Sequence, residues 1–269
     1  MRPRFIIIIA ALLAAAMPSL PAAAADPAPA KPRGTAPAQD AAKVDDAQKY
    51  QHCIWLARQK PEDGWEESLS WGSLGGGEPA RQCGAIALVG LKQYAEAATR
   101  LEDLARSSHS SPMLRAGMLA QAGQAWLLAG KPERAYAAQT TALQLVPGAP
   151  DLLVDRAESL AEAKNYRDAV TDLDQALTVG PDRVDALTFR ATAKRYLDDL
   201  KGAGEDVAKA LSIDPQNPDA WLESGIIKRL NGNAAQARQD WLKVLQIAPK
   251  SPAADAARRN IEILDVKAP

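Results

Sequence analysis

Acyl or phosphoryl transfer by a side chain needs a nucleophile and a base in hydrogen-bond reach, oriented by a third group. The sequence offers two histidines as bases, His52 and His109. His52 adjoins Cys53, and adjacent residues of a helix do not share a face. His109 lies in the serine-rich stretch from Ser107 to Ser111, where a solvated ring is the ordinary outcome. Neither sits in a spacing that would ligate zinc. Gly75-Gly76-Gly77 lacks the Lys-Ser/Thr that completes a phosphate loop, so it reads as a turn between helices. The carboxylates are spread over helix faces in the usual solvated way. These residues indicate no enzyme, no metal and no cofactor.

The elements around them set a different task. Arg2 and Arg4 precede an apolar run from Phe5 to Met17, and Pro18, Pro21 and the small residues Ala22 to Ala25 follow. This pattern reads as a signal peptide over residues 1–25, cleaved near Ala25. Prolines interrupt the run well short of the roughly 20 apolar residues that span a bilayer. No cysteine stands near the cleavage site to carry a lipid. The expected destination is the periplasm. Residues 26–42 are rich in Pro and Ala, and are expected to be a disordered linker. With a formal net charge of −1, the chain has no cationic excess to neutralise phosphates, so nucleic acid is not an expected partner. Nor is a membrane, beyond the transient leader.

An exported chain with two cysteines, Cys53 and Cys83, suggests one disulfide, with a pair of buried free thiols as the alternative. Closing a loop of about 30 residues would contribute roughly 3–4 kcal/mol in the entropic account. It would tie the N-terminal helices of residues 43–78, which include an amphipathic stretch from Asp45 to Lys60, to the segment that follows.

From there the chain repeats. Pro147, Pro181, Pro215 and Pro249 recur every 34 residues, each preceded by a Leu (Leu143, Leu177, Leu211, Leu245) and by an alanine (Ala135, Ala169, Ala203, Ala237) in the same register. Within one unit, Trp221, Leu222, Gly225 and Ile226 have helical spacing, Asn231-Gly232-Asn233 makes a turn, and a second helix runs through Ala237, Trp241, Val244 and Leu245 to Pro249. Proline stops that helix because it lacks the N–H and clashes with the preceding turn. Small residues at Gly123, Ala157, Ala191 and Gly225 face the alanine series, letting the two helices approach closely. Four units result, 116–149, 150–183, 184–217 and 218–251. A degenerate unit at 79–115 precedes them, and a capping helix and tail at 252–269 follow.

The pattern Trp221-x-x-x-Gly225, then Gly232, Ala237, Trp241 and Pro249, resembles the tetratricopeptide repeat (TPR). The resemblance implies an all-α, right-handed superhelical solenoid of helix hairpins whose concave face, lined by first helices, binds a protein or peptide. Carried over residue by residue, the groove positions are Gln124 and Leu127 with Leu128; then Asp151, Val154, Glu158 and Glu162; then Thr188, Thr192, Arg195 and Tyr196; then Leu222, Ile226 and Arg229. The Lys and Asn set with which some TPR domains grip a C-terminal carboxylate is missing, so the expected partner is a segment with apolar and basic character. Some sites depart from the family. Lys194 and Lys228 replace aromatic residues, and Gln139 replaces a large residue of a second helix. Arg156 and Arg190 replace apolar residues, and each has an acid sixteen residues on, Asp172 and Asp206. The same offset joins Ser224 to Asp240 and Ala122 to Ala138, so arginine occurs only where its acid does, and these are expected to be salt bridges within repeats. The function implied is a periplasmic adaptor or scaffold; the alternative is a non-catalytic accessory subunit that positions an envelope enzyme.

Overall fold

The computed structural model describes the backbone of residues 38–266 and side chains from Asp46 onward. The signal peptide and the linker up to residue 37 lie outside the described residues. Among those described, every regular element is a helix, and none is long and apolar enough to cross a membrane. They fall into two compact units that divide between Gln93 and Tyr94, within the 79–115 segment.

The first unit holds α1 (Ala38–Gln59), α2 (Pro61–Ser73) and α3 (Gly77–Gly90), each packed on the other two. The helix begins at Ala38, so the end of the expected 26–42 linker is helical. No proline follows Pro37 until Pro61, and Ala38 to Lys43 are mostly good helix formers. Cys53 on α1 and Cys83 on α3 form a disulfide with Cα atoms 6.0 Å apart, in a core with Ile54, Trp71, Ile86 and Ala87. A Cβ on Gly64 would lie 2.5 Å from the Ala57 backbone, so α1 and α2 touch main chain to main chain there. Gly84 of α3 makes its close approach to Ser68 and Trp65 of α2. His52 is exposed and stacks on Trp55, and His109 of the second unit is exposed.

The second unit is a repeat solenoid. After α4 (Tyr94–Ser107) come four hairpins: α5 (Pro112–Leu128) with α6 (Pro132–Leu145), α7 (Pro150–Glu162) with α8 (Tyr166–Val179), α9 (Val184–Tyr196) with α10 (Leu200–Ile213), and α11 (Pro218–Leu230) with α12 (Ala234–Ile247). Then α13 (Pro252–Val266) packs on α12 and α11. First helices open on Pro112, Pro150 and Pro218, where the missing N–H costs nothing, and Ser111 and Asn217 accept backbone N–H groups at the caps. The turn inside each hairpin takes a left-handed residue in register: Gly130, Lys164, Asp198 and Gly232.

Each hairpin closes on a matched pair. Ala135, Ala169, Ala203 and Ala237 are all fully buried. Sixteen residues apart stand Gly123 with Gln139, Ala157 with Leu173, Ala191 with Val207, and Gly225 with Trp241. The planar or long partner takes glycine, the branched one takes alanine. A Cβ on Gly225 would lie 2.3 Å from the Trp241 indole nitrogen, so even alanine cannot enter without moving it. Trp241 is fully buried and donates its N–H to the Leu222 carbonyl at 3.2 Å.

First helices also touch the first helix of the next unit, α5 on α7, α7 on α9, α9 on α11 and α11 on α13, whereas second helices make at most marginal contact with one another. One layer is therefore drawn together and the other splayed, which makes the first-helix side concave. α13 continues the first-helix register, with Ser251 capping as Asn217 does. Where the hairpins need glycine or alanine it carries Arg259, too large for a second helix to pack upon.

Candidate partner-binding groove

Along the concave side, several groove residues are used between repeats before any partner arrives. Leu127, Val154, Glu158 and Thr188 are buried, and Thr188 donates its hydroxyl to the Val184 carbonyl. Leu222 and Ile226 are half-buried against the core around Trp241. The Gln124 amide on α5 donates to Asp155 Oδ1 at 3.0 Å and to Glu158 Oε2 at 3.2 Å on α7. Arg195 on α9 donates to both oxygens of Glu223 on α11, at 2.5 and 3.2 Å. Its guanidinium also lies over the Tyr196 ring, which stacks on Tyr166 with centroids 4.7 Å apart. Arg183 joins Asp151 of one repeat to Asp185 of the next. The surface left open comprises Tyr196 and Arg229, with Leu128, Glu162 and Thr192 partly exposed.

The second repeat carries the unusual electrostatics. Asp155 and Glu158 sit one turn apart on α7 and accept hydrogen bonds from the same neutral amide. Burial pushes each carboxyl up to about 7 and the Gln124 hydrogen bonds oppose this; Asp155 and Glu162 raise Glu158 further, while Asp151 and Asp185 raise Asp155 and the Arg183 guanidinium lowers it. Glu162 is raised as well, by burial. Both carboxyls are therefore held less acidic than ordinary carboxylates, and a cation placed against them would favour their charged forms. Asp155, Glu223, Arg183 and Tyr166 escaped the sequence reading. Asp155 is three residues before Glu158, and that spacing alone places it on the same helix face; Tyr166 opens a second helix, so a search of first helices passes over it.

Away from the groove, arginines occupy the seam between the helices of a hairpin. Arg156 donates to both oxygens of Asp172 at 2.7 Å, and reaches Thr140. Arg190 holds Asp206 at 2.9 and 2.6 Å and Asp174 of the preceding second helix at 2.7 Å. The hydrogen bonds they donate to these acids hold both guanidinium pKa values above their ordinary range. Lys194 and Lys228, the two lysines at aromatic sites of the family, reach Asp206 at 2.8 Å and Asp240 at 2.7 Å. In the fourth unit Ser224 takes the arginine's place and donates to Asp240 at 2.6 Å.

Residues 154–218 match the family described as Tetratricopeptide repeat. The array is a tetratricopeptide-repeat solenoid. No curated protein matches the chain in sequence. Among solved structures, the chain is similar to TTC0263, a thermophilic TPR protein of Thermus thermophilus, at 18% identity and a TM-score of 0.58, covering 70% of this chain and 98% of that one. It is also similar to the structure of the APC/C hetero-tetramer Cut9-Hcn1, at 13% identity and a TM-score of 0.62, over 83% of this chain and 45% of that one. A third is MamA from Desulfovibrio magneticus RS-1, at 20% identity and a TM-score of 0.52, over 62% of this chain and 93% of that one. At these identities the likeness concerns the fold.

Proposed function

We propose that the chain is a non-catalytic periplasmic adaptor whose TPR groove holds a segment of a partner protein with apolar and basic character. The observation that carries this is the acid pair on α7: the carboxylates of Asp155 and Glu158 accept hydrogen bonds from one neutral amide and from no cation among the described residues. A lysine or arginine from a partner would add a hydrogen-bonded cation to this pair, while Tyr196, Leu222 and Ile226 offer apolar contact along the same face. Cut9, which shares the fold, forms a hetero-tetramer with Hcn1. The leader-like start supports export, and the disulfide of Cys53 and Cys83 suits an oxidising compartment.

Affinity capture from an envelope fraction tests the reading, comparing the wild type with Glu162→Lys/Tyr196→Ala, two changes on the open surface of the groove. A partner recovered by the wild type and lost by the folded variant is the expected result. Structural envelope components would support a scaffold, and a stoichiometric enzyme an accessory subunit. Equal recovery by both proteins would remove the groove from the account.

A further inference from the structure

The first hairpin lacks both the arginine and the acid of this seam, and a cavity lies there. Arg156 and Arg190 fill the space between a hairpin and the second helix before it, each bound to the acid of its own hairpin. In the first hairpin the same two positions are Ala122 and Ala138. A cavity of about 340 Å³ opens there, between α4, α5 and α6, with Glu102, Arg106, Arg115, Arg134, Ala138 and Thr141 among its walls. Glu102 on α4 stands where Asp174 stands for Arg190, but other groups have claimed it. It accepts the Trp126 indole N–H at 2.7 Å and an Arg134 guanidinium N–H at 3.0 Å.

The charge of the space is thereby inverted. In the third unit acids line it and the protein supplies the cation. In the first, three guanidiniums line it. Arg134 is committed to Glu102 and to the face of Trp126, and Arg106 to Asp103. Arg115 uses only its Nε, on the Ala105 carbonyl at 2.9 Å, and its Nη nitrogens meet no acceptor among the described residues. The floor is apolar, made by Leu119, Ala105 and Ala138. An apolar floor under a cationic rim matches a glutamate side chain, whose methylenes need cover and whose carboxylate accepts paired N–H groups.

We propose that this cavity is a second docking point, receiving a glutamate side chain from a partner protein on the side away from the concave groove. It stands independently of the groove. The test is NMR of the ¹⁵N-labelled full chain, following the Trp126 indole N–H, which is bonded to the cavity wall. The probes are a blocked alanine-rich peptide carrying glutamate, its glutamine counterpart, and sodium acetate. The glutamate peptide should shift the Trp126 signal saturably, and Arg115→Gln should weaken that binding by about tenfold or more. Ala122→Arg/Ala138→Asp writes in the ion pair of the next two units, and should abolish binding while the remaining spectrum is preserved. Binding that survives in this filled variant would overturn the assignment, as would an equal response to the glutamine peptide or no response at all. Acetate binding as tightly as the peptide would make it a site for free anions and overturn the partner.

Discussion

Replacing Asp172 by alanine removes the acceptor of two charge-assisted hydrogen bonds and leaves the Arg156 guanidinium in the seam of its hairpin. The Asp172 side chain is only 5% exposed and that of Arg156 21%, so solvent reaches the stranded cation in part. Removing one partner of a fully buried pair costs about 3–5 kcal/mol; partial access lowers the expectation to about 2–3 kcal/mol for Asp172→Ala, with a similar loss for Arg156→Ala, which strands the carboxylate. The double substitution Arg156→Ala/Asp172→Ala reproduces the alanine pair that the first hairpin already carries at Ala122 and Ala138. It loses packing but strands no charge, and should cost about 2 kcal/mol, no more than either single change. The coupling energy from the cycle is then about 2–4 kcal/mol. Urea unfolding of the full chain, followed by circular dichroism, measures all four proteins. A coupling below about 0.5 kcal/mol would refute the reasoning, since a pair so placed and so well aligned must then be neutral against solvent. If Asp172→Ala left stability unchanged while a captured partner was lost, the pair would be a recognition element rather than a structural one.

Three other outcomes are expected. Glu158 has a folded pKa of about 7, above its ordinary value, so its contribution is fully present below the unfolded pKa and lost as pH rises through 7. Wild-type stability should therefore fall between pH 5 and pH 8, measured by urea unfolding, and Glu158→Gln should flatten the slope; an unchanged slope would exclude this carboxyl as its source. Asp198 holds a left-handed turn at φ 62°, where its neighbours in register include Gly130 and Gly232, so Asp198→Gly should stabilise by about 0.5–1 kcal/mol in thermal unfolding, and destabilisation would show that its side chain matters more than its backbone. Reducing the disulfide should lower hydrogen-exchange protection in α1 to α3 by the equivalent of roughly 3 kcal/mol while α7 to α10 keep theirs; uniform protection throughout would mean the bond contributes nothing to its unit.

What could be read from the sequence was whatever repeats at a constant offset. The 34-residue register marked the hairpins from α5 to α12, and the offset of sixteen joined Arg156 to Asp172 and Arg190 to Asp206, because both members lie on one rigid hairpin. Contacts between repeats have no such signature. Gln124 reaches Asp155 and Glu158 at offsets of 31 and 34, and Arg195 reaches Glu223 at 28. Those offsets depend on how far each unit turns against the last, which no local pattern encodes. For the same reason the burial of Val154 and Leu127, apolar residues at groove positions, was not legible in advance. The start of α1 at Ala38 was hidden by the proline-rich residues before it, whose composition masks the alanine-rich turn that follows.

Photo-crosslinking in living cells tests the groove most directly. A photoreactive residue placed on the concave side, at Glu162, Tyr196 or Arg229, should capture one discrete partner protein, while the same residue on exposed second-helix positions Arg167 and Glu205 should not capture it. The same product from Arg167 and Glu205, with none from the concave positions, would contradict the account.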